Sequence, residues 1–329
     1  MNSTIRQLQT FLKIISFLAV ATGPSLGWAA DPYPTKPIRL LNGFTAGGGT
    51  DKLARTFSVP LGEALGQSIV VDNKPGANGL IATLDLAKSA PDGYTLMVAI
   101  SSFVTNPLLK KQPDYDPVKD FTPIAIVASV PYVLVASPGL PVANAEELIK
   151  AAKAAPGTLT YGSSGTGSPQ HLFAEMLNNM AGTKITEIPY KGGSQFMPDL
   201  LAGRISLSWF SSVIAMPYLI DKRLRALAVS TRDCLDSLPD VPPLAQAGVP
   251  GFHAEQFTAI IGPPGMPPAV VERLQSEIIR LVNTPDLQAK FRAQGAEPRP
   301  GTAAELSTLL KNEVALWGRV IKETGIPLQ

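Results

Sequence analysis

The sequence predicts an α/β protein built as two lobes, each a parallel or mixed sheet with helices on both faces, and a cleft between them. Three observations lead there. Apolar, β-rich runs alternate with helical patterns along nearly the whole chain. That rhythm breaks at two extended stretches, 121–137 and 251–262. Two glycine-rich loops each follow a strand pattern and open a helix.

Strands are expected at 38–42, 68–72, 94–99, 132–136, 159–161, 185–190, 205–210, 224–230 and 257–262. Helices are expected at 51–65, 79–89, 145–155, 169–181, 195–202, 268–283 and 303–323. Strands alternating with helices indicate a mostly parallel sheet covered on both faces. The run Tyr94-Thr95-Leu96-Met97-Val98-Ala99 is apolar at consecutive positions, which fits a strand buried on both sides. In 121–137 two extended runs follow one another with only Pro131 between them, which reads as a crossing from one lobe to the other. The stretch 251–262, ending in Gly262-Pro263-Pro264-Gly265, reads as the return. Lobe one would then be 31–130 with 252–329, and lobe two 131–251. Two sequential, independent domains are the alternative.

Composition narrows the function classes. The chain has 329 residues, of which 45% are hydrophobic and 16% charged, with a net charge of +2. So few charges argue against disorder and against a nucleic-acid surface. The single cysteine, Cys234, rules out an internal disulfide, and would be tolerable outside the cytoplasm if buried. The two histidines, His171 and His253, leave little for metal chemistry, and no cofactor is expected. Arg6 and Lys13 precede an apolar run at 14–21, and Gly27 and Ala29 satisfy a small-x-small cleavage pattern. This reads as a signal peptide cut after Ala29 or Ala30. A membrane anchor is the other reading, but the run is shorter than the roughly 20 residues of a span.

The first glycine-rich loop is Phe44-Thr45-Ala46-Gly47-Gly48-Gly49-Thr50-Asp51. Its glycines let the backbone approach a ligand, Thr50 or Asp51 can cap the next helix, and the free N–H groups at that helix start favour an anion. A tight turn with no ligand has the same signature. The second loop is Gly162-Ser163-Ser164-Gly165-Thr166-Gly167-Ser168-Pro169, where Ser168 and Pro169 read as N-cap and first helical residue. Neither loop is a P-loop, and neither completes G-x-G-x-x-G.

With these landmarks the chain resembles the Bug-type periplasmic receptors of tripartite tricarboxylate transporters. The likeness begins at Tyr33-Pro34-Thr35-Lys36-Pro37-Ile38-Arg39 and includes 44–51. It continues through Val71-Asp72-Asn73-Lys74-Pro75-Gly76-Ala77 and Pro91-Asp92-Gly93-Tyr94 to Pro189-Tyr190-Lys191-Gly192 and Leu238-Pro239-Asp240-Val241-Pro242. The resemblance implies a two-lobed, type II-like periplasmic-binding-protein fold that captures a small carboxylate. One carboxylate would be held through bridging waters and backbone groups of the first loop: Phe44, Thr45, Ala46, Gly48, Gly49, Thr50 and Asp51. Ser163, Ser164, Thr166, Gly167 and Ser168 of the second loop would contact it directly. Ser101, Ser102, Phe210 and Ser211 are further candidates for the cleft wall. Lys191 is another; a solvated turn lysine is its alternative. The sequence departs from the family pattern at Asn42-Gly43, where Val-Pro is common. It departs again at Ser211-Ser212, where an acidic residue followed by Asn is common. Loss of that acid moves the expected ligand from amino acids toward di- or tricarboxylates or aromatic acids. Phe44, Phe103, Trp209 and Phe210 would supply apolar surface, or be ordinary core.

An enzyme is the competing class. Ser163 or Ser164 with His171 would make a nucleophile and base, but Thr166 stands where G-x-S-x-G needs glycine. Glu272, Glu277, Glu305 and Glu313 read as solvated helix faces. The expectation is a monomeric, exported, non-catalytic carboxylate binder, with no nucleic-acid partner. Its membrane partner is a permease of the tripartite type, or a sensor kinase.

Overall fold

The computed structural model describes residues 33–190 and 195–329. The chain divides into two compact units at Thr35, and the second, Lys36–Gln329, carries both sheets. The expected signal peptide lies outside the described residues.

The first sheet begins with β1 (Ile38–Asn42), helix α1 (Gly49–Leu65), β2 (Ile69–Asn73), α2 (Leu80–Ala87), β3 (Thr95–Ile100), α3 (Ser102–Leu108) and β4 (Thr122–Val130). β1 runs parallel to both β2 and β3. After β4 only Pro131 intervenes before β5 (Tyr132–Ala136), the first strand of the second sheet. Proline has no N–H to continue a ladder, so it suits a point where a strand changes sheets. The second sheet adds α4 (Ala145–Ala154), β6 (Thr160–Ser163), α5 (Pro169–Ala181), β7 (Thr186–Pro189), α6 (Met197–Leu201), β8 (Leu207–Ser211), α7 (Ser212–Ile220) and β9 (Arg225–Val229). The chain re-enters the first sheet at β10 (Gln256–Gly262). It ends with α8 (Pro268–Val282), α9 (Pro285–Ala293), β11 (Glu297–Gly301) and α10 (Ala303–Thr324). Strand order is β11-β4-β10-β3-β1-β2 in one sheet and β7-β6-β8-β5-β9 in the other.

Both sheets are mixed rather than mostly parallel. β10 lies antiparallel between β3 and β4, and β5 lies antiparallel between β8 and β9. These are the strands that enter each sheet at the crossings. A strand arriving without a crossover helix is free of the parallel constraint that βαβ connections impose. The sequence patterns miss α3, α7, α9 and β11. Three of these are helices of nine residues or fewer, and β11 contains two prolines, which fit only because it is an edge strand.

Local chemistry explains the helix ends. Ser168 accepts the His171 N–H as N-cap of α5, Pro169 opens the helix, and Gly182 closes it in the left-handed conformation. Thr302 and Glu305 form a capping box on α10, so Glu305 holds a helix start rather than a solvated face. Glu277 is also engaged, with Arg273 and Arg280. Cys234 is exposed.

Glu313 departs furthest from expectation. It accepts a 2.7 Å hydrogen bond from the indole N–H of Trp317, which is 1% exposed. Burial pushes its carboxyl up to about 7, opposed by the Trp317 bond and by the charges of His253 and Arg299; Glu255 adds repulsion. A free glutamate releases its proton near 4.5. The folded chain keeps it longer, so this stabilisation is complete below about pH 4.5 and is lost as pH rises to about 7. Glu313→Gln should therefore flatten the fall in stability between those pH values. It should raise stability at pH 8 by ~2 kcal/mol, a figure reduced for the part-exposed edge of the residue. Urea midpoints measured across pH would check this; an unchanged slope would remove Glu313 as its source.

Candidate functional site

A cavity of about 200 Å³ opens where the carboxyl end of β3 and the crossing strands face the loops of the second sheet. Its wall comes from both sheets. Phe44, Gly49, Thr50 and Leu53 come from the first loop and α1, Asn78 from the 76–79 turn, and Ile100 and Ser102 from the β3–α3 junction. Val130, Tyr132 and Gln256 come from the crossings. Ser164, Gly167, Ser168, Pro169 and Gln170 come from the second loop, and Ser211, Val213 and Ile214 from the β8–α7 junction.

Two features set its chemistry. The described wall carries no Asp, Glu, Lys, Arg or His. In place of charged groups it presents the first turns of α1, α5 and α7. α1 and α7 have no side-chain cap, and their first-turn residues Gly49, Thr50, Val213 and Ile214 line the cavity. Helix starts of this kind favour an anion. Gln170 is 7% exposed; its Oε1 accepts from Ser164, which leaves its NH₂ to donate. Ser102 is 8% exposed and its hydroxyl has no partner among the described residues. Neutral donors hold an anion without the desolvation cost of a buried counter-charge.

Of the residues expected from sequence, Phe44, Gly49, Thr50, Ser102, Ser164, Gly167, Ser168 and Ser211 line the cavity. Thr45, Ala46, Gly48 and Thr166 belong to the same two loops but do not line it. Lys191 lies outside the described residues. Four expectations need correction. Asp51 is 3% exposed and turned inward, accepting from the Gly47 N–H at 2.8 Å, Asn73 at 2.9 Å and Arg55 at 3.0 Å. These bonds outweigh burial and hold its carboxyl below the usual range, so it stays ionised and shapes the loop; it is not an anion ligand. Ser163 is fully buried, donating to Glu187 at 2.5 Å and accepting from the Gly165 N–H at 3.0 Å. Ser101 is 5% exposed and sits behind the wall. Phe210 is fully buried, its ring 4.9 Å from Phe196 in the core of the second sheet. Trp209 and Phe103 are core as well, so of the four aromatics only Phe44 reaches the cavity.

His171 does not face a serine hydroxyl as a base would. Its Nδ1 accepts the Gly167 N–H at 3.3 Å, and its Nε2 is 3.8 Å from Glu187. It braces the second loop. Gln170, Asn78, Tyr132, Gln256, Val213 and Ile214 went unnoticed in the sequence. Ser211-Ser212 ahead of an apolar run is an N-cap signal that would have exposed α7.

The two sheets also meet beside the cavity. The Ser212 hydroxyl donates to the Gly295 carbonyl at 2.6 Å. Gly295 has φ +71°, and a Cβ there would lie 2.6 Å from the backbone N of Val213.

Two sheets joined by crossing strands around a solute-sized, anion-favouring cleft define a solute-binding protein. The chain belongs to the tripartite tricarboxylate transporter family receptors, whose family model matches residues 53–326. Members are periplasmic binding receptors, not a class of enzymes. Among relatives, Protein BugT of Bordetella pertussis is 34% identical over 320 residues, covering 97% of this chain and 98% of its own. The structure of R. palustris Rpa4515 with adipate is 36% identical with a TM-score of 0.82, over 90% of this chain and 99% of that one. MatC from Rhodopseudomonas palustris, with bound malate, is 28% identical with a TM-score of 0.77, over 88% of this chain and 100% of that one. Among the described residues no helix is long and apolar enough to cross a membrane.

Proposed function

We propose that this receptor captures a small carboxylate, a di- or tricarboxylate or an aromatic acid, in the cavity between its sheets and passes it to a membrane permease of the tripartite type. The observation that carries this reading is a wall of helix starts and neutral polar side chains with no Asp, Glu, Lys, Arg or His among the described residues. Relatives with adipate and malate support the ligand class. In this reading 31–130 with 252–329 form one lobe and 131–251 the other, waters bridge the solute to the first loop, and the receptor acts as a monomer. It works outside the cytoplasm after cleavage behind Ala29 or Ala30.

A thermal-shift panel of dicarboxylates, tricarboxylates, aromatic acids and amino acids on ligand-stripped protein tests it. A true ligand at 100 times its Kd should add about 2.7 kcal/mol of apparent stability. Failure of every carboxylate would overturn the reading. Ser168→Ala should weaken binding by roughly 1–3 kcal/mol, because Ser168 lines the cavity and its hydroxyl, which accepts the His171 N–H, keeps a proton to donate. The lost cap should also cost about 1 kcal/mol of stability, equally in free and bound protein. Unchanged affinity by titration calorimetry would take Ser168 out of the site.

A further inference from the structure

Beside the polar groups that suit the carboxylate, the cavity wall carries hydrocarbon. Leu53, Ile100, Val130, Val213 and Ile214 all reach the wall. Ile214 is the informative one. It is 41% exposed, among the most exposed large apolar side chains described, yet it stands in the first turn of α7 inside a cavity. Among the described residues no side chain covers that face fully, which leaves it for a solute that fills the cavity.

We infer that the solute's body is unsubstituted hydrocarbon, bearing neither hydroxyl nor amino group, and that Val213 and Ile214 select for it. This rests on the carboxylate reading above. A hydroxyl on the solute's body would be pressed against Ile214, Val213 and Val130 with its hydrogen bonds unmade. An ammonium would meet no carboxylate among the described wall residues, and an unpaired buried charge is costlier still. A methylene chain or an aromatic ring loses nothing there and removes apolar surface from water on both sides. Of the polar groups on the wall, the Ser102 and Ser168 hydroxyls and the Gln170 amide are those the carboxylate calls on, and Tyr132 and Gln256 bond each other.

Titration calorimetry with adipate, benzoate, malate, citrate and glutamate tests the inference. Adipate or benzoate should bind at least about tenfold more tightly than malate, citrate and glutamate, the factor set by one unmade hydrogen bond; which of the two wins separates a chain from a ring. Ile214→Ala should lower affinity for the preferred acid severalfold and lower that for malate by much less. Ile214→Asn should narrow the gap further. Because Ile214 is part-exposed, both variants should fold, which circular dichroism would check. Malate or citrate binding as tightly as adipate and benzoate would overturn the inference while leaving the carboxylate reading intact. Equal losses for all acids in Ile214→Ala would also overturn it. Failure of all five acids would overturn the carboxylate reading, and this one with it.

Discussion

Trp317→Ala should cost about 3–5 kcal/mol of stability, the range for deleting a buried aromatic side chain. Trp317 is 1% exposed and lies flat against Phe173, with ring centroids 5.7 Å apart and planes 3° from parallel. Phe173 meets Tyr132 at 5.0 Å and Trp209 at 5.8 Å. Trp317 sits on α10, which packs on β4 of the first sheet, whereas Phe173 sits on α5, which packs on β6 and β8 of the second. The stack thus ties the two sheets together at the crossings. Alanine would leave a void between rigid neighbours and strip Glu313 of its indole partner. Trp317→Phe should cost less, about 1–2 kcal/mol, because a ring remains but the N–H donor is lost. Urea unfolding followed by circular dichroism would measure both. A loss below about 1 kcal/mol for alanine, well under the usual range, would mean that the stack can be replaced by local collapse.

How far the sequence reaches can be judged at single residues. Ser168-Pro169 marked the start of α5 correctly because cap chemistry is local. β1 and β5 fall where their apolar runs place them, since burial on both faces needs no partner to be recognised. Ser163 and Asp51 misled for the opposite reason. Each is a polar residue in a glycine-rich loop, and its direction is decided by a distant partner: Glu187 of β7 for Ser163, Asn73 of β2 for Asp51. Phe210 and Ser211 are neighbours on one short strand, yet one is core and the other cleft wall. Successive strand residues point to opposite faces, but which face is core and which is cleft is set by what packs on each. Gln256 and Tyr132 bond each other at 3.3 Å across 124 positions, a pairing that the path of the chain creates and no local pattern announces.

Gly295→Ala should weaken solute binding about 10- to 100-fold without touching the solute, the factor that an overpacking cost of this size implies. Gly295 lies just before β11 of the first sheet, and Val213 is in the first turn of α7 beyond the second. An added methyl would stand 2.6 Å from the backbone N of Val213 and 2.9 Å from its Cα. Backbone atoms at the start of a helix cannot swing aside as a side-chain tip can, so α7 must move off. Overpacking of this kind costs about 1–3 kcal/mol, and here it falls on the arrangement in which α7 presents Ser211, Val213 and Ile214 to the cavity. A second cost has a different signature. Alanine at φ +71° carries the left-handed penalty of about 1–2 kcal/mol whether or not a solute is bound. That contribution lowers the melting temperature and cancels from the affinity. Ser212→Ala isolates the remaining contribution, because it deletes only the hydroxyl that holds the Gly295 carbonyl. Its expected effect is roughly threefold to tenfold on Kd. The order of affinities should be wild type, then Ser212→Ala, then Gly295→Ala, with faster solute release in both variants. Wild-type affinity in Gly295→Ala, with only its melting temperature lowered, would show that the close approach of these two segments plays no part in the bound form.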